Sequence, residues 1–328
     1  MHFRTEIFLA QSNEKIILQT PILTVGSCFA EVIGQKLVDN KVPTLVNPFG
    51  TIFNPLSITK LLRQSITQQL PDENLYVENQ GIWFHYDFHS SCWAPTKEAL
   101  TSQLTHQLQR VREWLLNTKW LIITFGTAYV YRQIATECIV ANCHKVPNKQ
   151  FRRELLSIEA IVEDFRNICS LLRSENPSIA VILTVSPVRH TRDTLPLNAV
   201  SKSILRVACH ELSEILTNVH YFPAYELLLD DLRDYRFYKP DLIHPNETAE
   251  QYIFQRFSET YFDDSLKQFV REWQKLKQEM THRPLQPNSA AHKQFLENLL
   301  KKLQKIRTNV GVDGEIAFVE QQLQALEN

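Results

Sequence analysis

The sequence has no excess of either charge, no long apolar segment and no internal repeat. Its 328 residues include 35 lysines and arginines and 36 aspartates and glutamates, which leaves a formal net charge of −1. Because such a chain has no global field that attracts nucleic acid or an anionic membrane, we expect neither as a partner. No run of about 18 apolar residues occurs, and the first twenty residues carry charges where an export signal would be apolar. We therefore expect a cytoplasmic protein.

The six cysteines give no sign of a disulfide framework. They lie at positions 28, 92, 138, 143, 169 and 209 of a chain long enough to form a core without cross-links, so we expect free thiols. Cys138, Cys143 and His144 lie close together in the sequence. Their spacing is not a standard zinc ligand set and no second pair of ligands stands out, so no metal is predicted.

Apolar and amphipathic segments alternate along most of the chain. Buried strands are predicted at residues 22–25, 120–124 and 179–185, and each ends at small or turn-forming residues. The segments between them have the apolar spacing of helices that bury one face. This alternation predicts an α/β fold in which helices cover both faces of a parallel sheet.

Two segments depart from this alternation. Residues 75–88 hold two strand-like runs on either side of Gln80-Gly81, which predicts an inserted β-hairpin. From about residue 266 onward the pattern is helical only, which predicts a C-terminal helical extension. We therefore divide the chain into an α/β domain at residues 1–265 and a helical extension at residues 266–328.

Chemically useful residues lie where the predicted strands end. In an open parallel sheet the carboxyl ends of the strands meet at one edge, and ligands bind there. Gly26-Ser27-Cys28 follows the first strand, whereas Asp241 and His244 lie in a loop far along the chain. A cysteine or serine beside a histidine that an aspartate orients is an arrangement used in covalent acyl chemistry. The other strand ends supply Gly126, Thr127, Ser186 and Arg189 as candidates for substrate binding.

Several unusual strings occur in a fixed order along the chain. They include Gly26-Ser27-Cys28-Phe29-Ala30, Asn47-Pro-Phe-Gly-Thr-Ile-Phe-Asn-Pro55, Phe125-Gly-Thr-Ala-Tyr129, Thr184-Val-Ser-Pro-Val-Arg189 and Asp241-Leu-Ile-His-Pro245. Over about residues 20–260 the chain resembles the GSCFA-domain family, which belongs to the SGNH/GDSL hydrolase superfamily. The resemblance implies a three-layer α/β/α fold of the flavodoxin-like kind and ester-type acyl chemistry, without naming a substrate.

The sequence departs from the superfamily pattern at two places. If Gly26 is matched to the glycine of the Gly-Asp-Ser turn, Cys28 falls on the nucleophilic serine, and Ser27 is the competing nucleophile. Ala128 stands where the pattern has its oxyanion asparagine. That hydrogen-bond donor must come from elsewhere or be absent. The candidates are the side chains of Asn47, Asn54 and Asn142 and the backbone of Gly50.

The expected mechanism is nucleophilic attack by a thiolate. A cysteine at a helix N-terminus beside an imidazole is expected to have a lowered pKa, because the helix dipole and a cationic histidine favour the thiolate. In this hypothesis His244 takes the proton of Cys28 and Asp241 fixes the tautomer of the imidazole. The backbone N–H groups of Cys28 or Phe29 and of Gly50 would stabilise the oxyanion.

Three functions stay open on the sequence alone. The first is an O-acyl or O-acetyl esterase that acts on a small-molecule or carbohydrate ester and needs no cofactor. The second is an acyltransferase, since Lys145 and Arg189 could meet the phosphates of a donor such as acetyl-CoA. The third is a non-catalytic binding protein, for which the missing asparagine argues. Asn142, His144 and Lys145 are further candidates for substrate binding, and the sequence does not indicate an oligomeric state.

Overall fold

The computed structural model of the chain describes residues 5–308 and 310–326. Strands and helices alternate up to residue 221, and the described residues beyond it contain helices and irregular segments. The strands are β1 (Ile22–Gly26), β2 (Thr44–Val46), β3 (Tyr76–Asn79), β4 (Ile82–His85), β5 (Trp120–Phe125), β6 (Tyr129–Gln133), β7 (Ile139–Val140), β8 (Phe151–Leu155), β9 (Ala180–Val185) and β10 (Val219–Tyr221). The helices are α1 (Cys28–Asp39), α2 (Pro55–Thr67), α3 (Lys97–Asn117), α4 (Ile158–Glu175), α5 (Leu195–Ile215), α6 (Ala224–Glu226), α7 (Glu247–Tyr261), α8 (Asp264–Thr281), α9 (Ala290–Ile306) and α10 (Asp313–Ala325).

Five parallel strands form the central sheet in the order β10-β9-β5-β1-β2. Numbered along the chain within this sheet, the order is 2-1-3-4-5, which is that of flavodoxin-like folds. Every residue of β1, β5 and β9 is buried, as expected of strands covered on both faces. The predicted parallel α/β fold is confirmed.

Helices cover the two faces of this sheet because successive side chains of a strand point in opposite directions. On one face Leu23 and Leu121 pack in a cluster with residues of α2, α3, α4 and α5. On the other face Ile22 and Ile122 pack with residues of α1, α7 and α8. The molecule therefore has the predicted three layers of helix, sheet and helix.

Two antiparallel sheets are added to this core. Strands β3 and β4 form the predicted hairpin. Strands β7, β6 and β8 form a second small sheet. Strand β8 escaped prediction because its exposed positions carry charges, among them Arg152, which pairs with Glu154 and Glu137.

Two helix starts differ from what residue preferences alone predict. Asparagine often caps helices, but α5 begins at Leu195, before Asn198, and Thr194 caps it. The side chain of Asn198 instead accepts the backbone N–H of His190, at 2.9 Å. Pro245 lies before α7, not in its first turn, because Asn246 provides the cap.

Helix α8 belongs to two hydrophobic clusters. Its residues Leu266 and Val270 pack with α1 and α7, whereas Trp273 and Leu276 pack with α9 and α10. The proposed domain boundary between residues 265 and 266 falls inside this helix and stays a proposal; the outer bounds at 1 and 328 lie outside the described residues. None of the helices in the described ranges is both long and apolar enough to span a bilayer.

Candidate active site

The turn between β1 and α1 depends on a glycine. The backbone of Gly26 has φ = +134°, and a Cβ placed there would lie 2.2 Å from the backbone oxygen of Thr124 in β5. Only glycine tolerates both conditions. The turn brings Cys28, the first residue of α1, to the carboxyl edge between β1 and β5, where the strand order reverses and ligands bind in folds of this kind.

The two candidate nucleophiles have different surroundings. Ser27 is fully buried, and its Oγ accepts the backbone N–H of Phe29 at 3.3 Å as the cap of α1. Cys28 is partly exposed and lines a surface cleft of about 650 Å³. Of the two side chains, the thiol is the one that lines this cleft.

The pKa of the Cys28 thiol is raised, opposite to the expected depression. Burial is the largest cause, and it outweighs the opposing effects of the backbone N–H of Cys28 and of the ammonium group of Lys202. The expectation of a low pKa is therefore wrong in direction. The loss of hydration on burial destabilises the thiolate more than the helix N-terminus and the ammonium group stabilise it. At neutral pH the cysteine is mainly a thiol.

Asp241 and His244 form the predicted pair. The Nδ1 atom of His244 lies 2.7 Å from Oδ2 of Asp241. Oδ1 of Asp241 accepts the backbone N–H groups of His244 at 3.0 Å and of Ile243 at 2.9 Å. These N–H groups, that of His244 first, and then the imidazole lower the pKa of Asp241 to about 2. The carboxylate is thus ionised at neutral pH and holds the imidazole by Nδ1, which leaves Nε2 for chemistry.

The cleft contains residues from distant parts of the chain. Cys28 follows the first strand and His244 lies between β10 and α7, yet both line the cleft. Its charged residues are mostly acidic, with four carboxylates against two ammonium groups. The lining residues are Cys28, Phe29, Glu31, Val32, Gln35, Lys36, Asp39, Val188, Lys239, His244, Pro245, Glu247 and Glu250.

The proposed oxyanion donors are mostly engaged elsewhere. The N–H of Gly50 donates to the backbone oxygen of Asn47 at 2.8 Å. Asn54 caps α2, since its Oδ1 accepts from Ser57 N at 2.9 Å and its Nδ2 donates to Ser57 Oγ at 3.0 Å. Asn47 accepts the N–H of Gly26 through Oδ1 at 3.0 Å, while its buried Nδ2 has no hydrogen-bond partner within the described part of the chain. Asn47 is therefore the candidate that retains a free donor beside the β1–α1 turn.

The candidate binding residues that follow β5 and β9 are engaged in hydrogen bonds within their own loops. The N–H groups of Gly126 and Thr127 both donate to the backbone oxygen of Phe53, at 2.7 and 3.1 Å. Ser186 is fully buried, and its Oγ accepts the N–H of Val188 at 3.3 Å. These contacts fix the carboxyl ends of β5 and β9 and leave those polar groups occupied.

The segment that contains Asn142, His144 and Lys145 does not line the cleft. Asn142 Oδ1 accepts the N–H of His144 at 2.9 Å, and the imidazole of His144 stacks on Phe84 and bonds to the backbone oxygen of His85 at 2.9 Å. Burial lowers the pKa of His144 to about 4, so this imidazole is neutral. The side chain of Lys145 is exposed. His144, with Asn142 as its neighbour, therefore ties this segment to strand β4 of the hairpin.

Arg189 stacks on aromatic rings instead of lining the cleft. Its guanidinium lies 4.2 Å from the ring centre of Tyr238 and 5.2 Å from that of Tyr235. Its backbone N–H donates to the carbonyl of Ile243 at 3.2 Å, which ties the loop after β9 to the loop that carries His244. In the described ranges, no group of three or more His, Cys, Asp or Glu side chains could hold a metal ion.

Sequence reasoning missed Lys202. Lys202 on α5 is buried, and its Nζ donates to the backbone oxygens of Gly126 and Ser186, both at 2.7 Å. The Nε2 atom of His190 is buried without a partner among the described residues, and burial lowers its pKa to about 3. Lys202 falls at helical spacing between the buried positions Asn198 and Leu205, so a lysine on an apolar helix face was the available signal.

The family of the chain is decided by a match that covers most of its length. Residues 21–257 match the model of the GSCFA family. The chain belongs to the GSCFA family. Residues 273–325 match the model of the GSCFA domain protein, C-terminal domain. The predicted membership is confirmed, and the signature Gly-Ser-Cys-Phe-Ala of the GSCFA chain forms the β1–α1 turn.

Other comparisons of this GSCFA protein are more distant. Among solved structures it is similar to a carbohydrate esterase family 3 protein from Talaromyces cellulolyticus, with 9% sequence identity and a TM-score of 0.32. The match covers 77% of the GSCFA chain and 99% of the esterase chain. No curated protein matches the GSCFA chain.

Proposed function

We propose that this GSCFA protein hydrolyses acyl esters, with Cys28 as nucleophile, His244 as general base and Asp241 as the residue that orients the imidazole. One observation carries the proposal. Cys28 and His244 line the same cleft, and Nδ1 of that histidine lies 2.7 Å from the carboxylate of Asp241. A nucleophile, a base and an orienting carboxylate are the three roles of covalent acyl transfer.

The reaction begins with a neutral thiol. Because burial raises the pKa of Cys28, His244 takes the proton through Nε2 as the sulfur attacks the acyl carbon. The tetrahedral intermediate collapses with loss of the alcohol, which receives the proton from His244. Water then attacks the thioester with His244 as base, releasing the carboxylic acid and restoring the thiol. Asp241 stays ionised and stabilises the imidazolium that forms in each half-reaction.

The oxyanion would be stabilised by donors near the start of α1. The backbone N–H of Cys28 lies at the positive end of the helix dipole, next to the sulfur that would attack. The buried Nδ2 of Asn47, which has no hydrogen-bond partner among the described residues, is a second donor near this turn. We propose that these two groups take the place of the glycine and asparagine of the superfamily pattern.

The charge of the cleft favours a neutral or cationic ester. Glu31, Asp39, Glu247 and Glu250 outnumber Lys36 and Lys239 around it. This balance opposes the phosphates of a coenzyme A thioester, and Lys145 and Arg189, expected to meet such phosphates, do not line the cleft. We therefore propose hydrolysis of small neutral esters, such as those of carbohydrates, ahead of transfer from acetyl-CoA.

The mechanism is tested with short p-nitrophenyl esters at neutral pH. We expect Cys28→Ala and His244→Ala to lower kcat/KM by about 10³-fold or more, and Asp241→Asn by about 10²- to 10⁴-fold through the wrong tautomer. Cys138→Ala, which removes a cysteine that does not line the cleft, is the matched control and keeps wild-type turnover.

Ser27→Ala separates the two nucleophiles. Removing the Ser27 cap of α1 lowers the free energy of unfolding by about 1 kcal/mol but leaves the thiol in place. Activity therefore persists if Cys28 is the nucleophile. Full turnover in Cys28→Ala, together with its loss in Ser27→Ala, would instead make the serine the nucleophile. Retained ligand binding with no turnover in any protein, wild type included, would identify a binding module. Acetyl transfer from labelled acetyl-CoA to a carbohydrate in preference to water would favour the transferase.

A further inference from the structure

Lys202 is buried where a cation is costly. It is the only lysine or arginine in the described ranges that falls in the buried class, with 1% of its surface exposed. No carboxylate in those ranges forms an ion pair with it. Burying a charge without a counter-ion costs several kcal/mol unless other groups compensate for it. We therefore expect a lysine at this position to have a specific role in the site.

The hydrogen bonds of Lys202 join two strands of the central sheet. Nζ donates to the carbonyls of Gly126 and Ser186, which are the first residues after β5 and β9. These carbonyls lie at the sheet edge where Cys28 begins α1. One amine thus fixes the ends of two neighbouring strands beside the nucleophile.

The titratable groups that act on Lys202 are Cys28 on α1 and His190 in the loop after β9. Tyr225 also presents its ring face, with the ring centre 5.8 Å from Nζ. The imidazole of His190 is neutral, since burial lowers its pKa to about 3. The thiolate of Cys28 is therefore the anion whose charge acts on the ammonium group of Lys202. The thiolate favours the ammonium form, and the ammonium group favours the thiolate.

We propose that Lys202 is a positioning residue of this site, which ties the ends of β5 and β9 together and stabilises negative charge on the sulfur of Cys28. The catalytic consequence rests on the proposed function, whereas the effect on the thiol does not. Burial lowers the pKa of Lys202 to about 7, so the ammonium form and its effect on the thiolate are lost as the pH rises through this value. Below it, the charge raises the thiolate fraction.

The test measures alkylation of Cys28 by iodoacetamide between pH 6 and 10, with adducts quantified by mass spectrometry and without any substrate. It uses His244→Gln as background, because His244 is the proposed base and would itself affect the reactivity of the thiol. In Lys202→Gln we expect alkylation about ten-fold slower at pH 6 to 7, equivalent to one unit of thiol pKa, with rates that converge above pH 9.

Lys119→Gln is the matched control. This lysine precedes β5 at the opposite edge of the same sheet, where it pairs with Glu14 at 3.0 Å. We expect its alkylation profile to follow that of the background protein. Equal profiles in Lys202→Gln and Lys119→Gln, or faster alkylation without Lys202, would overturn the proposal.

The background protein alone provides a second test if Lys202→Gln does not fold. The interaction between Lys202 and Cys28 predicts that the alkylation rate rises up to about pH 7 and then levels off, because the amine loses its charge. The rate rises again at higher pH, where Cys28 ionises beside a neutral amine. A steady ten-fold increase per pH unit through this range would contradict a coupled amine. Failure of ester hydrolysis with this biphasic profile intact would reject the proposed function and leave the role of Lys202 standing.

Discussion

At the scale of the residue, Gly26 controls the position of Cys28, the proposed nucleophile. In Gly26→Ala we expect the free energy of unfolding to fall by more than about 2 kcal/mol. The added methyl group would clash with the backbone of β5, and the positive φ of residue 26 disfavours alanine. Gly314→Ala on α10 is the control, since a Cβ there meets nothing within 4 Å and should change stability by at most about 1 kcal/mol. Urea unfolding measures both. Wild-type stability in Gly26→Ala would contradict the assigned conformation.

Single residues also mark how far the sequence could be interpreted. Cys28, Asp241 and His244 could be named as candidates because short strings and strand ends identify them. Asn47 and Asn54 could not be separated in this way, because the cap of α2 and the free Nδ2 exist only once the backbone is folded. The raised pKa of the thiol likewise depends on burial, which no spacing in the sequence reports.

At the scale of the element, α1 is held at both ends. Its first residue is Cys28, and the carbonyl of its last residue, Asp39, accepts the indole N–H of Trp273 at 2.7 Å. Lys41 lies over the same indole, 4.9 Å from its centre, and pairs with Glu315 of α10 at 2.6 Å. The C-terminal helices thus pack against the end of the helix that begins at Cys28.

Trp273→Phe tests this connection. Losing the indole hydrogen bond while most of the ring packing remains should lower the free energy of unfolding by about 1–2 kcal/mol, and Trp273→Ala by about 3–5 kcal/mol. Protection of the fully buried Cys209 from alkylation in urea should be lost together with far-UV circular dichroism, because α8 belongs to both clusters. Separate transitions would indicate that the helical extension unfolds independently.

The three inner strands of the central sheet were predictable, and the strands of the small sheet were not. Continuous apolar runs identified β1, β5 and β9, since strands covered on both faces carry few polar residues. Strand β8 is exposed and rich in charge, so its conformation depends on pairing with β6, which the local sequence does not encode.

At the scale of the whole molecule, buried neutral histidines link stability to pH. The folded-state pKa of His144 is lowered by burial from 6.5 to about 4, so the unfolded chain binds its proton first as the pH falls. Stability is therefore greatest above pH 6.5 and is lost towards pH 4, with a contribution of about 3 kcal/mol from this residue. Protonation would also place an N–H on the buried Nδ1, which has no partner among the described residues.

His144→Asn should flatten the fall in the free energy of unfolding between pH 6.5 and 4, because asparagine does not titrate and tolerates the left-handed backbone at this position. His106→Asn, at an exposed position, provides the comparison and should keep the wild-type slope. Urea titrations at several pH values give the slopes. Identical pH dependence in His144→Asn and the wild type would exclude this residue as a source.

The brevity of the two outermost strands bears on how the protein behaves when concentrated. β2 and β10 have three residues each, whereas the strands between them have five or six. A short border exposes few unsatisfied amide and carbonyl groups to which another molecule could add a strand. The sheet is thus poorly suited to template aggregation, which favours a protein that stays dispersed at high concentration.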